Sequence, residues 1–196
     1  MQANTQHSSV DRFFRLLETL CLVLAVMFSG TGGVVLASVL ASPLRGLGSA
    51  ASFEVLGGST VTNTGPSVIS GDLGVGPSFS VTGFPPGIVT NGTIHAADAV
   101  TLQAQSDLTT AYRTIAAKTG AVDLTGQDLG GLTLTPGVYH FDTSAQLTGT
   151  LTLNALGDPS AEFDFQIGST LTTASNSHVV MINGADSRDV YWQVGS

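Results

Sequence analysis

A chain of 196 residues is long enough for one domain with a full core plus an N-terminal extra. Its charge is lopsided: the first fifty residues hold Arg12, Arg15 and Arg45 against Asp11 and Glu18, and the rest holds only Arg113, Lys118 and Arg188 against the other twelve acids. An acidic domain with three cations has no basic groove, which excludes nucleic acid as a partner.

Arg12 and Arg15 precede an apolar run from Leu20 to Phe28, continued from Val34 to Ala41, with small residues at Val39-Leu40-Ala41 and Gly48-Ser49-Ala50. This is the pattern of a secretory signal, and it predicts a leader over residues 1–50 and a secreted domain over 51–196. Thr19 to Ala41 is also long enough to span a bilayer as an uncleaved, outward-facing anchor, although Ser29-Gly30-Thr31-Gly32-Gly33 weakens that reading. The lone Cys21 falls in this segment, which leaves the domain no thiol for a disulfide, a metal or nucleophilic attack.

From Ala51 to Ile94 short apolar patches are punctuated by Gly and Pro, as in Val68-Ile69-Ser70-Gly71-Asp72-Leu73 and Val81-Thr82-Gly83-Phe84-Pro85-Pro86-Gly87. Frequent turns between short β-prone runs predict strands and tight corners. Between His95 and Lys118 the pattern changes. Ala97, Val100, Ala104, Leu108, Ala111, Tyr112 and Ile115 follow three-and-four spacing, and Gly120 stands just beyond as a stop. One amphipathic helix over about 95–118 is expected, wet on the face of Gln103, Gln105, Ser106, Asp107, Thr110 and Arg113.

After the helix a threonine-rich phrase recurs about every 20 residues: Leu132 to Thr135, Leu151 to Asn154 and Leu171 to Ala174. Such a period is the signature of a solenoid, whose coils bury their apolar edges only by stacking. A strand period of two sends Leu132, Leu134, Leu151, Leu153 and Leu171 inward, and Thr133, Thr135, Thr150, Thr152, Thr170 and Thr172 outward. Val138, Tyr139, Phe141, Phe163, Phe165, Ile167, Val179, Val180, Ile182 and Val190 are core candidates, with Glu162 and Asp164 on an outward strand face. The text stops at Ser196 without a polar cap, so the chain is expected to be incomplete at its C-terminus.

Catalytic and metal chemistry find little purchase. Asp123, Asp128, Asp142, Asp158, Glu162 and Asp164 could pair for glycoside cleavage, but Asp158-Pro159 reads as a turn, and Asp72 and Asp128 sit beside Gly at corners. His95, His140 and His178 are scattered, with no His-x-x-x-His or Cys pair, so neither metal nor cofactor is expected and the protein is read as no enzyme.

Six phrases together carry a resemblance. They are Ile69 to Val75, Thr82 to Gly87, His95 to Ala99, Asp128 to Tyr139, Phe165 to Leu171 and Val190 to Gly195. In this order they make the stretch from about Phe53 to Ser196 resemble the secreted ice-binding domain family of microbes. The resemblance implies a mainly β fold: a right-handed parallel β-helix of triangular section with one long α-helix alongside. Family members run on past the Trp192-Gln193-Val194 phrase through further coils.

The resemblance implies adsorption to an ice crystal, by a monomer, with inhibition of ice growth and recrystallisation. A flat array of threonine suits that task, because its β-branched side chain is stiff, its methyl restricts water and its hydroxyl anchors it. The expected ice-binding residues are Thr148, Thr150 and Thr152, with Thr170 and Thr172 one coil on, and Thr62 and Thr64 extending the face. Thr148-Gly149-Thr150 has the flavour of the Thr, Gly or Ala, any residue, Thr or Asn pattern of the family's ice faces, but Leu151 breaks its fourth position. The rival is an extracellular adhesive or polysaccharide-binding module on the same fold, for which exposed aromatic side chains would speak. Tyr112, Tyr139 and Trp192 are all expected to face the core or the helix.

Overall fold

The computed structural model describes residues 46–195, so the leader or anchor read from residues 1–50 lies almost wholly outside the described residues. Two blocks of parallel strands make up the structure. In the first, β1 (Phe53–Gly57), β2 (Thr60–Thr62) and β3 (Val68–Ser70) form one coil, and β4 (Asp72–Val75), β5 (Ser80–Thr82) and β6 (Ile88–Thr90) form the next. Strand β7 (Ile94–Ala96) starts a third coil, which gives way to the helix α1 (Ala99–Ala116).

The second block runs through β8 (Val122–Asp123), β9 (Thr133–Leu134), β10 (Gly137–Phe141), β11 (Ala145–Leu147), β12 (Thr150–Asn154), β13 (Phe163–Ile167), β14 (Leu171–Thr173), β15 (His178–Ile182) and β16 (Val190–Val194). Strands pair only with strands one coil away, in the orders β1-β4-β7, β2-β5 and β3-β6, then β16-β13-β10-β8, β11-β14 and β15-β12-β9. This is a three-sided parallel β-helix with a helix alongside, as the resemblance implies.

The core follows the strand period. Leu134, Leu151 and Leu153 are buried, with Tyr139, Phe141, Phe163, Phe165 and Ile167, and Leu132 and Leu171 pack against them half-buried. Phe165 stacks between Tyr139 and Trp192, at ring-centroid distances of 5.5 Å and 4.0 Å. Aromatic pairs of this kind add stabilisation beyond the area they bury. Val180 and Ile182 are not core residues, contrary to expectation: Val179 and Met181 point inward on β15 and leave their neighbours exposed.

Coil length is uneven, and this corrects the repeat. Thr133 lies in register with Thr152, 19 residues on, so the first two threonine phrases do stack. The third does not join them. Leu171 pairs with Ala145 and Thr172 with Gln146, whereas the residue above Thr150 is His178. The added length sits at the corner between β12 and β13, where Asp158 accepts from the Ser160 N–H and hydroxyl in a turn around Pro159.

The helix is shorter than its spacing suggests. His95 lies on β7, not in the first turn, because Asp98 caps α1 by accepting from the Thr101 N–H at 2.8 Å. Thr101 is fully buried in place of Val100, which is half-exposed. Gly76 makes this possible: a Cβ there would stand 2.8 Å from the Thr101 methyl.

Down its length α1 meets the two blocks in turn. Gln105 Nε2 donates to the Gly57 carbonyl at the end of β1, and Asp107 accepts from the Ser49 N–H and hydroxyl. Ala111 and Ile115 pack with Tyr191 of β16, and Gln166 of β13 donates to the Ile115 carbonyl. The chain therefore climbs from β1 to β7, descends along α1, and climbs again from β8 to β16. Leu47 and Ala50 are buried in the same cluster, so the packed unit begins ahead of residue 51.

Asp98 ties the cap to pH. Its carboxyl lies at about 2, down from 3.8, chiefly because it accepts from the Thr101 N–H and then from His95, whose ring nitrogen is 2.7 Å away. A carboxylate depressed on folding stabilises the fold in full above 3.8, and that contribution is lost as pH falls through about 2. Asp98→Ala should lower the urea midpoint at pH 7, and its gap from the parent should narrow steadily as pH drops from 3.8 towards 2. Circular dichroism against urea at several pH values reads this directly.

Candidate functional site

The three sides differ in what covers them. On the first, formed by the sheets of β1-β4-β7 and β16-β13-β10-β8, outward side chains are overlaid by α1. Asp164 and Gln166, which alternate with inward aromatics, are consequently buried, so the expectation of a solvated Asp164 fails. Lys118 Nζ reaches both Asp164 and Glu162 at 2.6 Å. Burial still holds the Asp164 carboxyl above the usual carboxylate range, and its Oδ1 has no hydrogen-bond partner. This side is structural.

The second side is open and carries hydroxyls in both blocks. In the upper block Ser80 and Thr82 stand over Thr60 and Thr62, with the Thr82 hydroxyl donating to Thr62 at 3.2 Å. In the lower block Ser144 and Thr170 hydroxyls meet at 2.9 Å, and Gln146 lies beside Thr172. Adjacent coils repeat at about 4.8 Å and outward residues along a strand at about 6.7 Å, so within each block these side chains are regularly spaced. Asp128, in register with Gln146, sets a carboxylate into this rank.

Asp128 is a corner brace. Its Oδ2 accepts from the Thr148 hydroxyl and its Oδ1 from the Thr148 and Gly130 N–H groups at 2.9 Å and 2.7 Å. Those bonds, led by the Thr148 hydroxyl, pull its carboxyl below the ordinary range. Gly130 is obligatory there, since a Cβ would fall 1.7 Å from the Thr148 carbonyl oxygen; Gly83 meets Asn63 equally closely in the upper block.

The third side is mixed. Thr133, Thr150 and Thr152 lie outward on β9 and β12, but the next rung up is His178, Val180 and Ile182, and β3 and β6 expose Val68 and Ile88. Hydroxyls give way to apolar groups within two coils.

The seven threonines expected together are thus divided. Thr62, Thr170 and Thr172 lie on the second side, and Thr64 is exposed at the corner after β2. Thr150 and Thr152 lie on the third side, not one coil from Thr170, because the corner after β12 displaces the next strand. Thr148 occupies the corner between the two sides, its hydroxyl taken by Asp128. Ser80, Thr82, Ser144 and Gln146 were missed; only their register with Thr60, Thr62, Thr170 and Thr172 brings them into the array. Thr173-Ala174-Ser175-Asn176 fits in full the four-residue pattern that Leu151 breaks earlier, at the corner between β14 and β15. Tyr139 is buried and Trp192 half-buried, but Phe79 is 79% exposed, a lone aromatic between β4 and β5.

Residues 55–196 match the family model described as ice-binding-like. The chain belongs to the ice-binding-like family. It is 63% identical over 156 residues to an ice-binding protein of Nostoc sp. (strain HG1), covering 80% of this chain and 57% of that relative. It is 35% identical to ice-binding protein 1 of Shewanella frigidimarina (strain NCIMB 400), covering 87% of this chain and 23% of the relative. A crystal structure of an ice-binding protein from an Antarctic biological consortium superposes with a TM-score of 0.73 at 47% identity, covering 83% of this chain and 73% of the other. One from the Antarctic ascomycete Antarctomyces psychrotrophicus gives 0.73 at 41%, covering 79% and 75%. This ice-binding-like chain therefore spans little more than half the Nostoc relative's length.

The cover on the first side has a measurable cost of disruption. Lys118→Met leaves the Asp164 carboxylate buried without its cation and should lower stability by roughly 2 to 4 kcal/mol, somewhat under the figure for a fully buried pair because the lysine is partly exposed. Lys118→Met with Asp164→Leu should regain most of that loss in urea titrations.

Proposed function

We propose that this chain binds ice through its second side and so slows ice growth and recrystallisation. Ice presents a repeating lattice, and recognition needs a flat, rigid, periodic surface. The observation that carries this reading is the rank of hydroxyls at coil spacing, Thr82 over Thr62 and Thr170 over Ser144, on a side that α1 leaves free. Backbone ladders hold each rung, and χ1 of threonine is stiff, so the hydroxyls keep their spacing at little entropic cost.

Thr62, Thr170 and Thr172 are the ice-contacting residues in this reading, with Thr64 and Thr148 at its margins. Thr150 and Thr152 belong to the mixed side and are secondary. Each contact is weak, and the strength comes from the array. The partner is the crystal surface, met by a single molecule outside the cell, where ice forms. Several named relatives are ice-binding proteins, which supports the same reading. Catalysis plays no part in it.

Thermal hysteresis and recrystallisation assays on tyrosine variants provide the test. Thr172→Tyr and Thr82→Tyr should lose most of the activity while keeping the parent's circular dichroism, and Thr152→Tyr should keep it. Loss confined to Thr152→Tyr would move the face to the third side. A folded parent that leaves ice growth unchanged sinks the ice reading altogether.

A further inference from the structure

Two Asn-Gly pairs lie at corners of the solenoid, Asn91-Gly92 after β6 and Asn183-Gly184 after β15, both with the asparagine at positive φ. Asn-Gly is the dipeptide most open to spontaneous loss of the side-chain amide, because glycine leaves its own nitrogen unhindered. The two corners are built differently. Gly92 is pressed on the coil below: a Cβ would lie 2.2 Å from the Gly71 carbonyl carbon and 2.6 Å from the Asp72 nitrogen. Its flanks are bolted as well, since Thr90 accepts from the Gly71 N–H at 2.9 Å and the Thr93 N–H donates to Asp72 at 3.0 Å.

Gly184 has no such neighbour. It is exposed, at φ +90°, with nothing within 4 Å of where a Cβ would stand. Asn183 is exposed too, and its amide is tied only through Nδ2, which donates to Asn154 Oδ1 at 3.0 Å.

We propose that Asn183 is a deamidation site and that the fold protects Asn91. The Gly184 nitrogen attacks Cγ of Asn183 and loses its proton; the new N–Cγ bond closes a cyclic imide as Cγ–Nδ2 breaks and ammonia departs. Water then opens the imide at either carbonyl, giving aspartate or isoaspartate. The reaction needs water alone and is one-way.

Its consequence falls on the third side. Asn154 Oδ1 accepts from Asn183 and from the Leu156 N–H, so a carboxylate at 183 faces an acceptor with no proton to share. Isoaspartate also lengthens the backbone at the carbonyl that accepts from the Gly157 N–H. Asn154, at the end of the Thr150–Asn154 rung, thereby loses its side-chain tie to the next coil and gains a negative charge beside it, while the backbone ladder of β12 and β15 remains.

Timed incubation of the full chain in mildly alkaline buffer, with peptide mapping by mass spectrometry, tests this. In the folded protein the peptide holding Asn183 should acquire the amide-to-acid mass change several-fold faster than that holding Asn91. In urea the two should react at similar rates, and Asn183→Gln should abolish the signal at its site. Equal rates in the folded chain, a faster Asn91, or no reaction at Asn183 while the unfolded chain reacts would each overturn the assignment.

Discussion

The 18-residue helix α1 packs small side chains across the edges of two strand stacks that share no ladder with each other. Ala104 and Ala111 let its backbone come close, Thr101 seats over Gly76, and Ile115 meets Tyr191. Parallel coils bury apolar surface only against their neighbours, so a stack in two pieces needs a strut. The helix supplies it, and its ends are held by polar contacts: the Asp98 cap at one end and Gln166 against the Ile115 and Lys118 carbonyls at the other.

That strut also decides which surface is free. Asp164 and Gln166 look outward in the strand alternation yet are buried, because α1 occupies the first side. Hydroxyl ranks survive only on the other two. Between these, the second keeps its composition in both blocks, whereas the third changes from threonine to Val180 and Ile182 within one rung. A periodic lattice is met by repetition, and repetition is a property of whole sides.

The strand text, the solenoid period, the helix and the aromatic core around Phe163 and Phe165 were legible in the residues, because alternation and three-and-four spacing are local physics. His95 was misread as helical because nothing in spacing says where a cap such as Asp98 will stop the helix. The grouping of Thr150 with Thr170 failed for a different reason. Corner length between β12 and β13 shifts which strand lies above which, and a corner's length carries no mark of the face that follows it.

The sequence by itself determined that this chain coils, that leucines point in and threonines out, and that one amphipathic helix interrupts the coils, since each depends on neighbours a few residues apart. Only the tertiary structure decided which threonines share a side, which side α1 covers, and that Ser80 and Ser144 join the array. Those relations are set by register between strands some 20 to 28 residues apart and by corners of unequal length, which no local pattern encodes.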